Sequence, residues 1–389
     1  MFFKVNSILL IIILNYGGSF MMKKSKIFLL FALVLGLGIF LAACGTSSSD
    51  KNTDKKDSAS GSEAEVKDFG IAMVTDQGGV DDKSFNQSAW EGLQEFGEAN
   101  GLTKGNGIDF AQSNGQADFM PNITRLVRDE YDVILATGFL LKEDIQKAAK
   151  QFPDSNFAIV DETVDAPNAA SLGFAEHQGS FLVGVAAAHK SETGKLGFVG
   201  GIDSPLIQKF EAGFIAGAKS VNPDITVDVQ YAEHFSDAAK GKLIASNMYD
   251  NGIDVIYHAA GGTGNGVFNQ AKDIKQNDPE RQIWVIGVDR DQHEEGQIGD
   301  NNVTLTSMVK RVDVAVKELA NLAKDGKFPG GEKLEFGIEE DGIAVTTTNE
   351  EAMTEDIIKS VDEWQEKILN GEVEVPKTRE ELEAFEESL

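Results

Sequence analysis

Short apolar runs recur along the chain from about residue 68 onward, each ending in a polar or glycine cluster: FGIAMVTD, YDVILATG, NFAIVDE, KLGFVGG, ITVDVQYAE, IDVIYHAAGG, QIWVIGVD and VTLTSMVK. Their unbroken apolar character predicts strands covered on both faces. Between them lie amphipathic stretches of helical length, QSAWEGLQEFGEAN, FMPNITRLVRDE, PLIQKFEAGFIAGAKS and VDVAVKELANLAKDGK. Strand, helix, strand, helix predicts a parallel α/β architecture. About 300 residues exceed one hydrophobic core, so two Rossmann-like lobes are expected. Ligands of open α/β sheets bind beyond the carboxyl ends of the strands, and the polar clusters gather there. With two lobes, both sets of strand ends would face one cleft.

The chain ends carry a different pattern. Residues 1–20 hold an apolar run too short and too oddly flanked to span a bilayer, and read as an over-extended start. A conventional signal peptide follows, with Lys23, Lys24 and Lys26, then an apolar stretch, then LAAC. Residues 1–43 are expected to be removed. LAACG resembles a bacterial lipobox, which would leave Cys44 as a lipidated N-terminus. Cys44 is the only cysteine of 389 residues, so the exported part has no disulfide or thiol chemistry. Two or more acyl chains would anchor it firmly without a transmembrane helix, on the extracytoplasmic face of the cell membrane. Residues 44–67 are nearly free of large apolar side chains and read as a flexible tether. The acidic tail past about residue 370 reads as a helix closing the fold or lying on it.

Removing residues 1–43 takes away four lysines and no acids, so the net charge falls from −28 to −32. Such acidity argues against nucleic acid, whose phosphates need a basic face, and disfavours a multiply charged anion. A neutral or cationic small molecule fits better. The sequence has no phosphate-binding G-x-x-x-x-G-K-[ST], and GGTGNG is a weak dinucleotide signal. It has no G-x-S-x-G nucleophile elbow. Five scattered histidines give little support to a transition metal. Adjacent Asp81 and Asp82 are thin grounds for a hard cation. No enzyme, cofactor or metal is expected.

The stretch TDQGGVDDKSFNQSAWEG closely resembles the opening loop of the basic membrane protein family of lipoproteins. The resemblance continues through IVDE, HFSDAAKGK, DVIYHAAGGTGNGV, IGVDRDQ and TSMVKRVDVAV, in the same order, and covers residues 68 to about 327. It implies a class I periplasmic-binding-protein fold and a purine-nucleoside-binding component of an ABC importer, working as a monomer with a membrane permease and a separate ATPase. In this superfold the chain crosses between lobes three times. Residues 68–173 plus 291–327 are expected in the N-terminal lobe, and 174–290 plus 328–389 in the C-terminal lobe and tail.

The resemblance also implies roles for residues. Phe85, on the loop after the first strand, and Phe235 would stack on the two faces of a purine. Asp161 would accept the base N–H donors. Asn86 would donate and accept at the base edge. Asp289 would accept from the ribose hydroxyls, and Lys310 would donate to a ribose oxygen. Gly261 and Gly262 would let backbone approach the ligand, and Asp76 would hold the opening loop in shape. Plainer roles stay open for each: core packing for the rings, helix capping for the aspartates, a solvated surface for Lys310 and a tight turn for the glycines. Phe210 competes with Phe235, although its helical spacing with Phe214 favours core. A sugar receptor of the same fold and a surface interaction or sensor lipoprotein are the alternative functions.

Overall fold

The structure is a computed structural model that describes residues 69–389. The expected leader, Cys44 and tether lie outside the described residues. Two sheets organise the rest. The first contains β1 (Ile71–Val74), β2 (Thr103–Lys104), β3 (Gly107–Ala111), β4 (Val133–Thr137), β5 (Asn156–Val160) and β6 (Ala169–Phe174). The second contains β7 (Lys195–Gly200), β8 (Thr226–Tyr231), β9 (Val255–Ala259) and β10 (Trp284–Asp289). A small hairpin, β11 (Gln297–Ile298) and β12 (Asn301–Asn302), follows before β13 (Thr304–Lys310), β14 (Lys333–Phe336) and β15 (Ile343–Val345).

The first sheet runs β14-β6-β5-β4-β1-β3-β2 and is parallel throughout. The second runs β15-β13-β10-β9-β7-β8, with β15 antiparallel at its edge. Each expected apolar run forms one of these strands. The division at the carboxyl end differs from the expectation. Residues 304–310, expected in the first lobe, pair with β10 in the second sheet, and residues 333–336, expected in the second lobe, extend the first. Strand pairing decides this, and an apolar run carries no mark of its partner.

Among the described residues ten α-helices cover the sheets: α1 (Phe85–Asn100), α2 (Gln116–Arg128), α3 (Lys142–Gln151), α4 (Glu176–Lys190), α5 (Pro205–Val221), α6 (Ala238–Asp250), α7 (Gly264–Asn277), α8 (Val312–Lys324), α9 (Glu355–Leu369) and α10 (Arg379–Glu387). Helices α4 and α5 touch backbone to backbone: a Cβ on Gly217 would lie 1.9 Å from the Phe181 carbonyl oxygen. In the acidic tail, α10 packs against α5 and buries Leu382, and Phe385 meets Phe181 of α4 edge to face. Its first residue, Arg379, makes a two-point ion pair with Glu211 of α5, both contacts at 2.8 Å.

Candidate ligand-binding site

A cavity lies where the carboxyl ends of both sheets converge. From the first sheet come Asp76 after β1, Asp82 and Phe85 before and at the start of α1, Gly138 and Phe139 after β4, and Asp161 after β5. From the second come Phe210 on α5, Phe235 after β8, Gly261 after β9, and Asp289 and Lys310 closing β10 and β13.

Asp161 and Asp289 occupy matching places in the two lobes, one directly after β5 and one at the end of β10. Both take the left-handed conformation, with φ of 71° and 67°. Aspartate tolerates this region better than most residues, and such backbone strain concentrates at functional sites. Both carboxylates meet Lys310, whose Nζ donates to Asp161 Oδ2 at 2.6 Å and lies 3.8 Å from Asp289 Oδ1. Burial alone would lower the Lys310 ammonium, but Asp161, Asp289 and Glu176 together hold it above its ordinary range. The second Asp161 oxygen is buried without a hydrogen-bond partner. An orphaned buried acceptor of this kind is uncommon and suits a ligand donor. Ser84 Oγ, from the first lobe, donates to Asp289 Oδ2 at 2.5 Å. Burial pushes the Asp289 carboxyl up to about 6, against the partial offset of Lys310 and Ser84.

The opening loop is held by its own aspartates. Asp82 accepts from the backbone N–H groups of Ser84, Asn86 and Gln87, and so caps the start of α1. Burial pushes Asp82 up and takes Asp76 to about 6. The Asn86 amide donates to Asp76 Oδ1 at 2.9 Å and to Asp82 Oδ2 at 3.0 Å, and its oxygen accepts from Thr137 at 2.7 Å. Both Asn86 donors are thus committed within the protein. The expected donation from Asn86 to a ligand is therefore corrected to a structural role, with only one oxygen lone pair left over. Phe85 is likewise the first residue of α1 and not part of a loop. Asp81 is exposed and Asp82 buried; among the described residues no group of three potential metal ligands occurs.

The two halves touch across the cavity. Gln77 Oε1 accepts from the Phe235 amide at 3.1 Å, Asn265 donates to the Asp82 carbonyl at 3.0 Å, and Arg290 pairs with Glu91 through two 2.9 Å contacts. Phe139 and Phe235 meet edge to face with ring centroids 6.1 Å apart.

A protein-family profile, named Bmp and described as ABC transporter substrate-binding protein PnrA-like, matches residues 69–379. The chain belongs to the Bmp family. It is therefore a substrate-binding component of an ABC transporter, which works with a membrane permease, and not an enzyme. It is 49% identical over 363 residues to a CD4+ T-cell-stimulating antigen of Listeria monocytogenes, covering 92% of this chain and 99% of that one. It is 42% identical over 361 residues to the ABC transporter nucleoside-binding protein BmpA of Lactococcus lactis, covering 91% and 99%. Among solved structures it resembles a solute-binding protein of an ABC transporter system from Aeropyrum pernix K1, with a TM-score of 0.72, 25% identity, and coverage of 82% and 98%. The neighbours share the class I solute-binding architecture expected from the sequence.

In this Bmp chain eight of the nine expected ligand residues line the one cavity: Asp76, Phe85, Asn86, Asp161, Phe235, Gly261, Asp289 and Lys310. Gly262 does not line it. Gly261 takes φ +53° with the Phe235 carbonyl 3.2 Å from the place of a Cβ, so it makes room for the protein's own ring segment. Gly201 does the same more severely, because a Cβ there would lie 2.1 Å from the Phe235 ring. Phe139 and Phe210 line the cavity in addition to the expected residues. Phe210 is 2% exposed and behaves as both core and wall. Nothing in the local pattern distinguishes Phe139 from other apolar residues after a strand.

Proposed function

We propose that this protein captures purine nucleosides on the extracytoplasmic face of the membrane, held there by lipid on Cys44, and presents them as a monomer to its permease. One observation carries the reading: a single buried cavity combines phenylalanine rings from both lobes with two strand-end carboxylates, one of which keeps an unpartnered oxygen. A nucleoside has the matching parts, a flat base with N–H donors and a ribose with vicinal hydroxyls. Phe85 and Phe235 stack on the base. Asp161 takes the base N–H groups and Asp289 takes the ribose hydroxyls, with Lys310 donating to a ribose oxygen. The name of the Lactococcus lactis relative, a nucleoside-binding protein, points the same way.

The acidic cavity disfavours a phosphate, so nucleotides bind poorly. Calorimetric titration with guanosine, adenosine, inosine, cytidine and ribose tests the assignment, on protein first unfolded and refolded to strip carried-over ligand. Micromolar or tighter binding of a purine nucleoside is expected. Binding of ribose in preference to inosine would instead mark a sugar receptor, and silence toward all five would remove the nucleoside. Lipid on Cys44 is tested by mass spectrometry of the protein extracted from membranes.

A further inference from the structure

Phe210 and Phe235 wall the cavity from the second lobe, and the elements that bear them are held from outside it. Phe235 follows β8, the edge strand of the second sheet, which pairs only with β7. Its backbone is fixed by the Thr263 amide and by Gln77, at 3.0 and 3.1 Å, but its ring rests on the end of β7. A Cβ on Gly201 would lie 2.1 Å from that ring, and one on Gly200 would lie 2.4 Å from the ring of Tyr231. The same loop runs on through Asp203 to Ser204, whose hydroxyl caps α5, with Phe210 in the second turn. One side chain of the tail reaches every piece of this assembly. Arg379 Nε and Nη2 donate to the two Glu211 oxygens at 2.8 Å, Nη1 donates to Asp203 at 3.2 Å, and Nη2 donates to the Tyr231 hydroxyl at 3.3 Å. Tyr231 donates in turn to Glu211 at 2.5 Å, and buried Glu211 directly follows Phe210.

We infer that Arg379 is a positioning residue for the ligand site: from the tail it locks the loop after β7, the start of α5 and the end of β8 into one unit, and so sets the Phe235 ring against the base. This rests on the nucleoside reading above. The planar guanidinium meets a carboxylate at two points and a third segment at once, which the point charge of a lysine does not reproduce. Small displacements of the seat matter, because a gap of about 0.5–1 Å already forfeits about a quarter to a half of a van der Waals contact. An edge strand with one partner has no second strand to oppose such a shift, and the Arg379, Glu211 and Tyr231 network supplies that side. The tail has other anchors of its own, in buried Leu382, in Phe385 on Phe181 and in the 3.1 Å pair of Lys219 with Glu386. An arginine that only pinned the tail would stabilise the fold and leave ligand affinity alone.

Calorimetric titration of wild type, Arg379→Lys, Phe235→Leu and the double variant with inosine separates the two roles. Arg379→Lys keeps the charge and loses the fork. It is expected to weaken inosine by about fivefold or more in the protein with Phe235, and by less than about twofold in Phe235→Leu, because effects that pass through a shared partner do not add. Equal weakening in both backgrounds, or none in the first, would overturn the proposal. Lys219→Ala cuts the other ion pair between the tail and α5 without touching the wall, and is expected to leave inosine affinity within about twofold. Weakening as large as that of Arg379→Lys would reduce Arg379 to an anchor of the tail.

A second measurement needs no ligand. With 4-fluorophenylalanine in place of Phe235, the fluorine resonance reports the surroundings of the ring directly. Arg379→Lys is expected to shift or broaden this line, and Lys219→Ala to leave it in place. An unmoved line in Arg379→Lys refutes the positioning role even where inosine binds. A moved line in a protein that never binds inosine supports the positioning role and removes the nucleoside reading.

Discussion

Replacing Asp289 by Asn is expected to stabilise the ligand-free protein and impair its function. The substitution is nearly isosteric, and Asn tolerates the φ of 67° that this residue holds. Its amide can still exchange a hydrogen bond with Ser84 Oγ, now 2.5 Å from the carboxylate. What disappears is a charge on a side chain that is 6% exposed. Burial raises the Asp289 carboxyl from 3.8 to about 6, even with Lys310 nearby. That difference corresponds to about 3 kcal/mol of preference for the neutral form. Because the folded value lies above the unfolded one, the stability that it contributes is complete below about pH 4. It is lost as pH rises through about 6. The ionised carboxylate therefore burdens the fold at pH 8, and Asn removes the burden. Urea unfolding of the two proteins without ligand, at pH 4 and pH 8, reads this directly. A gain of about 1–3 kcal/mol is expected at pH 8, the lower end allowing for the lost attraction to Lys310, with little or none at pH 4. Purine nucleoside affinity should fall about thirtyfold, since two charge-assisted hydrogen bonds become neutral ones. A variant less stable than wild type at pH 8, or a gain that ignores pH, would show that Lys310 fully compensates the carboxylate and refute the reasoning.

Phe85→Leu keeps apolar bulk but loses the π-face, so nucleoside affinity should drop about 10–100-fold with the melting temperature little changed; equal affinity would take Phe85 out of the site. Gly217→Ala puts a methyl 1.9 Å from the Phe181 carbonyl oxygen and should cost about 1–3 kcal/mol in urea unfolding as α4 and α5 separate. Gly115→Ala, with open space around it, serves as the near-neutral control. Nucleoside binding should tighten as pH rises through about 6 and then level off, because ribose hydroxyls favour the ionised form of Asp289. Calorimetry near pH 6 in buffers of different ionisation enthalpy should then show proton release, and proton uptake would contradict the role given to Asp289.

Much of this site is legible in the amino-acid sequence. A strand covered on both faces is an unbroken apolar run, and in an α/β sheet its carboxyl end is where ligands lie. Asp161, Asp289 and Lys310 each directly end or follow such a run, and the family resemblance is what singles them out among the many polar strand ends. Phe85 stands out as a large apolar residue in a polar stretch. The spacing of Phe210 with Phe214 fits a core helix, and that is correct for most of α5. Its first turns nonetheless face the cavity. Phe139 follows β4 with no neighbouring signal. The strands β2, β3, β6, β14 and β15 escape the pattern: β2, β14 and β15 have only two to four residues at a sheet edge, and in β3 and β6 glycine, polar and small residues interrupt the apolar run.

The sequence by itself determined the local alternation of strand and helix, the polar strand ends and the chemistry available there, because these follow from side-chain type and near-neighbour periodicity. Only the tertiary structure decided which sheet takes residues 304–310 and which takes 333–336, because pairing is a choice among distant strands. It also decided that the Asn86 donors are spent on Asp76 and Asp82, and that Lys310 reaches an aspartate 149 residues away and covers Phe85. The Asn86 contacts are local but depend on how the opening loop folds back on itself, whereas the Lys310 contacts join residues of the two sheets, and no spacing along the chain encodes which partner a buried charge will find.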